Sequence, residues 1–575
     1  MSLVAELKRR NVIRVALVYL AAAWLIIQVA DTLFPVLQLP DWSMRLVVGL
    51  LALGFPVAVI LAWAFDLTPD GVKRDAKDGK PHASVDSKRR LDFLIIGILS
   101  AAVTFMVIDN YILVDEVEPL DTNAVAVLPM DMIGDDESSL FIADGMTATL
   151  INELSKIESL RVISRTSVQG FVDSGLSLPE IANALNVGAV IEGTVIKSGD
   201  RVRITASLVP ANADTATWSQ EFDRDLGDIL AMHAEIARAI AKNVRIELTE
   251  ADEARLTAPA ASTADVQLKL LEGRYLLSRG ELAEGRALLE EAAREAPDYA
   301  PVWAELARAY LRFTNEDPQY VPSALDAARK ALELDPDLSD AHWVVGSVAL
   351  YREWDWDKAL NSLNRAIELN PGNEEALQAL GDYYEMIGDW DRAISLGVDS
   401  VRSNPTDPVM YMNLGLSYNY AEMPDKGLEA CVSGARHGDY AWLAICRAEA
   451  YVFLGDRESV LREIDTALAD PTADHAVHAL AMAYMGMIGE HERAQELLKE
   501  LQQISESQFV SPLYLAYGNF GAGDVDSFFE YLHEAVDQKA MYAQWAVHVP
   551  HFRQLHGDPR FVEFEKRLNL PVAQP

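Results

Sequence analysis

The stretch DKALNSLNRAIELNP, residues 357–371, carries alanines at positions 359 and 366 and a proline at position 371. The same spacing of two small residues and a proline recurs on both sides, at Ala324, Ala331 and Pro336 and at Ala393, Ser400 and Pro405. A period of 34 to 35 residues with small residues at fixed points predicts stacked helical hairpins. Small side chains allow paired helices to touch, and the proline ends the second helix. Stacked hairpins form a solenoid with a long concave groove.

This pattern resembles the tetratricopeptide repeat (TPR) and extends over residues 264–545 as about eight units. Paired Gly-Asp or Gly-Glu residues mark the turn between helices in several units, at Gly388, Gly455, Gly489 and Gly523. The resemblance implies a groove that binds peptides or proteins. Residues 546–575 are expected to form a C-terminal cap that shields the last hydrophobic face.

The predicted groove is lined by the first helix of each unit, as in other TPR arrays. Projecting the repeat register places ten polar or aromatic side chains on that face: Arg274, Arg308, Arg312, Tyr351, Arg352, Asp382, Glu385, Asn413, Asn419 and Tyr420. Arginine and tyrosine suit the binding of extended peptides through bidentate and stacking contacts. A solvated face with no partner is the alternative interpretation of the same residues.

The composition limits the classes of function. A chain of 575 residues is long enough for several domains, and its net charge of −38 falls almost entirely after residue 120. Such an acidic surface repels phosphate backbones, so nucleic acid is not an expected partner. The two cysteines, Cys431 and Cys446, either form a disulfide or are two buried small residues, and we favour the second interpretation.

Three apolar stretches precede residue 120, at about 12–37, 45–65 and 93–114. Each has the roughly 20 residues that a helix needs to cross a bilayer. Basic residues are concentrated in the N-terminal tail and in the loop at residues 73–90. The positive-inside rule then places both in the cytoplasm and everything after residue 114 in the periplasm. We therefore expect a multi-pass protein of the bacterial inner membrane.

Residues 121–248 change periodicity and predict a compact α/β domain. Strands are expected at 124–129, 161–164, 189–194 and 201–208, and a helix is expected at 229–248. The stretches Phe141-Ile142-Ala143-Asp144-Gly145-Met146 and Ile191-Glu192-Gly193-Thr194-Val195 resemble the FlgO/TolB-N-like domain of bacterial membrane-anchored TPR proteins. Some relatives in that family carry an adenylate cyclase or a CadC-like winged-helix domain, and this chain has neither.

No motif predicts a catalytic, metal or cofactor site. Phosphate loops, HExxH zinc motifs and GxSxG nucleophile elbows are absent. His475 and His478 are helical neighbours without a visible third ligand. Asp144 is interpreted as a helix N-cap rather than an acid catalyst. Residues 164–167 are interpreted as a loop that hydrogen-bonds to itself rather than an anion site.

The predicted architecture is a multidomain chain with three transmembrane helices, a small α/β domain and an all-α TPR solenoid. Its segments are a membrane domain, the FlgO/TolB-N-like domain, a linker, the solenoid and the cap, at 1–120, 121–248, 249–263, 264–545 and 546–575. The predicted function is a non-enzymatic, membrane-anchored periplasmic scaffold or sensor that binds protein partners in the TPR groove. The alternative is a transmembrane signalling component that relays periplasmic ligand binding to a cytoplasmic effector.

Overall fold

The computed structural model describes residues 120–571, apart from 134–139, 173, 214, 257–261 and 315–317. Before residue 120 it describes only single positions and short segments. The chain divides into two units, Met1–Pro119 and Leu120–Pro575.

The described part of the first unit contains a short antiparallel hairpin. Strand β1, Phe65–Thr68, pairs with strand β2, Gly71–Arg74, with Thr68 opposite Gly71 at the turn. Elsewhere in this unit the Tyr19 hydroxyl donates to the carbonyl oxygen of Leu51 at 2.7 Å.

The prediction of three transmembrane helices is wrong by the structure. Among the described residues, no helix combines the length and the apolar character that crossing a bilayer requires. The longest described helix, Leu140–Ser155, has 16 residues and is about 24 Å long, shorter than a hydrocarbon core of about 30 Å. This finding also overturns the multi-pass inner-membrane localisation. Most residues of the predicted spans at 12–37, 45–65 and 93–114 lie outside the described residues.

A six-stranded mixed sheet forms the centre of the domain that begins the second unit. Its strands are β3 (Asp121–Val127), β4 (Asp131–Met132), β5 (Arg161–Val162), β6 (Val187–Ser198), β7 (Arg201–Pro210) and β8 (Trp218–Asp225). The order is β5-β3-β6-β7-β8, and β4 pairs with the end of β6. The first three contacts are parallel, at β3–β5, β3–β6 and β4–β6, and β6–β7–β8 is an antiparallel meander. The strands expected from the sequence are confirmed, as is the turn at Gly199.

Side chains that alternate along the strands fill two cores, one on each face of the sheet. Ile191 of β6 belongs to the same buried cluster as Met146 of helix Leu140–Ser155 and Ile236 of helix Ile229–Asn243. Its neighbour Val190 packs on the other face with Ile181. The period of two in the strand sequence therefore places helices on both faces.

Asp144 does not cap a helix, contrary to the prediction. Its helix begins at Leu140, four residues earlier, so Asp144 lies inside it and pairs with Arg165 at 2.5 Å. Burial raises the pKa of Asp144 although Arg165 opposes the shift. Residues 164–167 are not a loop, contrary to the prediction, because a helix runs over Arg165–Gln169. Ser164 caps this helix by accepting from the backbone N–H of Ser167 at 3.2 Å, so the segment does hydrogen-bond to itself.

Eight helical hairpins follow, and we number them as repeats 1 to 8. Their first helices are Ala264–Ser278, Ala300–Phe313, Ser339–Val348, Glu374–Met386, Pro408–Tyr420, Ala441–Leu454, His475–Met487 and Pro512–Ala522. Their second helices are Leu282–Glu295, Val321–Leu334, Trp356–Leu369, Trp390–Ser403, Pro424–Ala435, Arg457–Ala469, His491–Ser505 and Val525–Asp537. In repeat 3 the first helix continues as a π-helical turn, Ala349–Glu353. A short helix, Glu250–Arg255, lies within the predicted linker.

The small residues that define the repeat lie where helices touch. Ala359 and Ala366 are fully buried on the second helix of repeat 3, with Leu363 between them. On the first helix, a Cβ atom at Gly346 would lie 2.8 Å from Leu363 Cγ, so the helices are too close for any larger residue there. The spacing of the small residues in the sequence therefore follows from the close contact between the two helices of a hairpin.

The α/β domain contacts the solenoid at several repeats. The backbone N–H of Ser164 donates to Ser403 O at 2.9 Å, and the backbone N–H of Gly372 donates to Ser155 O at 3.0 Å. Arg255 donates to the carbonyl oxygen of Glu368 at 2.9 Å. These bonds fix the α/β domain against repeats 3 and 4.

After repeat 8 the chain turns back and contacts earlier repeats. We call residues 539–555 the closing segment; it contains two 3₁₀ turns, Ala543–Val547 and Pro550–Leu555. Lys539 Nζ donates to Glu353 O of repeat 3 at 2.9 Å, and Trp545 Nε1 donates to Glu385 Oε2 of repeat 4 at 2.9 Å. A final helix, Pro559–Leu568, packs on repeat 8.

Candidate binding site on the inner face of the repeats

The arginines predicted for the early part of the groove are held by internal partners. Arg274 Nε donates to Glu305 Oε2 at 2.6 Å, and Glu305 is only 4% exposed. Arg308 Nη2 donates to Glu375 Oε1 at 2.8 Å, and a second carboxylate, that of Asp340, lies 3.9 Å from Arg308 Nη1. Burial raises the pKa of Glu305, but the neighbouring arginines outweigh it and hold the pKa below its usual range. These side chains form a charge network between repeats 1 to 4.

The next three predicted residues also make intramolecular bonds. Arg312 donates to Leu277 O at 2.9 Å and Arg352 donates to Thr314 O at 2.6 Å. The Tyr351 hydroxyl donates to Asp382 Oδ2 at 2.5 Å. Each of these bonds crosses from one repeat to another, so the three side chains join successive first helices.

Two carboxyl groups on the first helix of repeat 4 are one turn apart and half-buried. Burial raises the pKa of Asp382 to about 6. Burial, followed by the charge of Asp382, raises the pKa of Glu385 to about 8. Glu385 accepts hydrogen bonds from the Ser417 hydroxyl and from Trp545 Nε1. Its carboxyl therefore connects repeats 4 and 5 with the closing segment.

A further carboxyl group, that of Glu449, was not among the predicted residues and lies at the centre of a buried polar cluster. Glu449 of repeat 6 is fully buried and accepts from Asn419 Nδ2 at 3.1 Å and from the Tyr484 hydroxyl at 3.1 Å. His551 Nε2 of the closing segment lies 2.9 Å from Glu449 Oε1. The ring of Tyr420 lies 6.3 Å from the His551 ring. The predicted residues Asn419 and Tyr420 thus belong to a cluster that joins three repeats to the C-terminal part of the chain.

A cavity of about 350 Å³ lies on the inner face beside this cluster. Its wall consists of the first helices of repeats 4 to 8, and the closing segment forms the remaining side. Four of the predicted groove residues line it, namely Asp382, Glu385, Asn413 and Tyr420. Because first helices of five successive repeats face one space, the inner face predicted from the repeat register is the face that holds the cavity.

Aromatic and acidic side chains dominate the lining. The aromatic residues are Tyr420, Trp442, Tyr514, Tyr517, Tyr542 and Trp545. The acidic residues are Asp382, Glu385 and Asp474, and the described lining contains neither lysine nor arginine. Sequence reasoning missed the aromatic residues of repeats 6 to 8, although Tyr517 precedes the turn glycine Gly523 by six residues, as the predicted Asp382 precedes Gly388.

The prediction that Cys431 and Cys446 are unbridged is wrong, because a disulfide joins them, with Cα atoms 6.1 Å apart. The bond links the second helix of repeat 5 to the first helix of repeat 6. A Cβ atom at Gly415 would lie 2.5 Å from Cys431 Sγ and 2.7 Å from Cys446 Sγ. The absence of a side chain at Gly415 therefore leaves room for the bridge. Over the described ranges, no cluster of three His, Cys, Asp or Glu side chains could hold a metal ion.

Comparison with known proteins identifies the class of repeat. Residues 362–395, from the second helix of repeat 3 into repeat 4, match the family model described as Tetratricopeptide repeat. The chain therefore contains tetratricopeptide repeats, here combined with a small α/β domain.

Two curated relatives share part of the chain. Over 239 residues it is 29% identical to "Putative adenylate cyclase 3" of Rhizobium meliloti (strain 1021), covering 40% of this chain and 40% of the relative. Over 249 residues it is 25% identical to "Superkiller complex protein 3" of Homo sapiens, covering 41% of this chain and 16% of the relative. The chain thus spans about two fifths of the first relative and about one sixth of the second.

Solved TPR structures resemble parts of the chain. PilW, a type IV pilus biogenesis factor, is 15% identical with a TM-score of 0.32, covering 36% of this chain and 94% of PilW. YrrB, a TPR protein with an unusual peptide-binding site, is 22% identical with a TM-score of 0.27, covering 33% of this chain and 94% of YrrB.

Proposed function

We propose that this protein is a non-enzymatic scaffold that binds a polypeptide partner on the inner face of its tetratricopeptide repeats. The observation that carries the proposal is the cavity of about 350 Å³ between the first helices of repeats 4 to 8 and the closing segment. Tyrosine and tryptophan are enriched among the residues that contribute most to the affinity of protein interfaces. An inner face that leaves such rings around an open space is suited to receive side chains of a partner.

The predicted groove residues divide into two groups under this proposal. Asp382, Glu385, Asn413 and Tyr420 line the cavity and would contact the partner directly. The arginines of repeats 1 to 3 would first have to exchange their internal partners, such as Glu305 for Arg274. The resemblance of residues 121–248 to the FlgO/TolB-N-like domain is part of the same proposal, with that domain holding the repeats in place.

The test uses the full chain and a panel of labelled peptides of basic, acidic and uncharged composition, with binding followed by fluorescence anisotropy. Trp442→Ala removes a half-buried ring from the cavity wall. The control is Phe509→Ala, because Phe509 is 81% exposed and does not line the cavity. At least one peptide class should bind, and Trp442→Ala should weaken it about tenfold or more. Equal affinities for the two variants would contradict the assignment of the inner face.

A further inference from the structure

The chemistry of the cavity lining restricts what it can hold. Six aromatic rings and three carboxyl groups surround a space of about 350 Å³, with no lysine or arginine among the described lining residues. Ring faces attract cations through their quadrupole, and carboxylates attract them through their charge. An anionic group would meet repulsion from both. A volume of this size lies at the lower end of the range for ligand pockets, so the ligand group is small.

The acidic groups are arranged from the rim to the interior. Asp474 is exposed, whereas Asp382 and Glu385 are half-buried on the helix of repeat 4. A cation entering the cavity would therefore meet the Asp474 carboxylate at the opening and two further carboxyl groups, those of Asp382 and Glu385, beside the rings.

His551 also lines the cavity and is only 3% exposed. Its Nε2 atom lies 2.9 Å from Glu449 Oε1, but both ring nitrogens are buried and neither makes a hydrogen bond among the described residues. The His551 ring therefore adds to the aromatic lining of the cavity.

We propose that this cavity binds an organic cation, namely an alkylammonium or guanidinium group carried on an apolar chain. This proposal rests on the proposed function, since the same inner face binds the partner. It adds which chemical group of the partner the cavity binds. The group belongs either to a lysine or arginine side chain of a bound peptide or to a free amine.

The raised pKa of Glu385, about 8, gives the proposal a second readout. The titratable and charged groups that face Glu385 are Asp382 on the same helix, Tyr420 of repeat 5 and Glu449 across the cluster, with Tyr351 bonded to Asp382 and His551 beside Glu449. At neutral pH the carboxyl of Glu385 holds its proton in the empty cavity. A bound cation favours the ionised form, so binding should release a proton.

The experiment is isothermal titration of the full chain with n-pentylammonium, with 1-pentanol as the uncharged match and with a capped lysine derivative as the peptide form. Two isosteric variants each remove one ionisable carboxyl group. Asp474→Asn keeps an N-cap side chain that can accept from Val477 N, as Asp474 Oδ1 now does at 2.9 Å. Glu385→Gln keeps one acceptor oxygen for Trp545 Nε1, and its amide N–H can donate to the Ser417 hydroxyl. The control variant is Glu500→Gln on an exposed helix surface.

The charged probe should bind and pentanol should not, and each cavity variant should weaken binding about tenfold while the control does not. The observed heat should also change with the ionisation enthalpy of the buffer. Binding of the capped lysine without binding of free pentylammonium supports the proposal and assigns the cation to a peptide.

Equal binding of pentylammonium and pentanol, or unchanged affinity in both cavity variants, would overturn it. If the peptides of the panel still bind in that case, with affinities that do not depend on their charge, the proposed function remains supported. If neither the cations nor any peptide binds, both proposals fail.

Discussion

Replacing Glu449 by alanine should destabilise the second half of the solenoid by about 2–4 kcal/mol, because a buried hydrogen-bonding group that loses its partner costs about 1–3 kcal/mol. The carboxylate is fully buried and accepts from Asn419 and Tyr484, each at 3.1 Å. His551 Nε2 lies 2.9 Å away. Alanine leaves the Tyr484 hydroxyl buried without its acceptor and leaves Asn419 Nδ2 with one acceptor, Cys446 O at 3.1 Å. Glu449→Gln keeps one acceptor oxygen and should cost less, about 1–2 kcal/mol.

The measurement combines urea unfolding with hydrogen exchange, because a chain with two kinds of domain need not unfold in one step. Exchange should rise in the helices at 441–454 and 475–487 and remain unchanged in the sheet of the α/β domain. Glu500→Ala is the control, since Glu500 is exposed and surface changes cost about 0.5 kcal/mol or less. If Glu449→Ala were as stable as this control, the cluster would not hold the repeats together and the reasoning would be refuted.

Three further predictions concern the solenoid. Replacing Cys431 and Cys446 by serine should cost about 3 kcal/mol, since the bridge closes a loop of 15 residues, and thermal unfolding of the double variant should no longer respond to reductant. Phe552→Ala should cost about 3–5 kcal/mol in urea unfolding because the ring is fully buried, whereas Phe509→Ala should change little. The pKa of Glu385 is raised to about 8 by burial, so its contribution to stability is present at low pH and is lost as the pH rises towards 8. Melting temperatures of Glu385→Gln should therefore depend less on pH between about 5 and 8, and a steeper dependence would contradict the sign.

The repeats and the sheet could be predicted because their signals are local. Ala359 and Ala366 are small because helices touch there, and the contact recurs every 34 to 35 residues. The strand at 201–208 alternates because one of its faces is buried and the other is more exposed, and the turn at Gly199 joins it directly to the preceding strand. Such patterns depend on neighbours that are close in the sequence.

The site could be predicted only in part, because its contacts are distant in the sequence. Trp545 lies 160 residues from its partner Glu385, and no periodicity relates the two. The register placed Arg308 on the inner face, but its pairing with Glu375 across 67 residues depends on the rotation between repeats. The membrane prediction rested on runs of apolar residues, which indicate only that side chains avoid water. Such a run does not by itself show whether a lipid bilayer or the interior of a protein excludes the water.

The closing segment has a consequence for how this array can vary. In an open solenoid each hairpin contacts only its neighbours, so repeats can be added or removed at little cost. Here Lys539 bonds to repeat 3 and Trp545 bonds to repeat 4. The number of hairpins between these repeats and the closing segment must therefore be the number that brings the closing segment back to its two acceptors. An inserted or deleted hairpin would move the closing segment away from both acceptors. Evolutionary change in this protein should therefore replace side chains within a fixed number of units rather than alter that number.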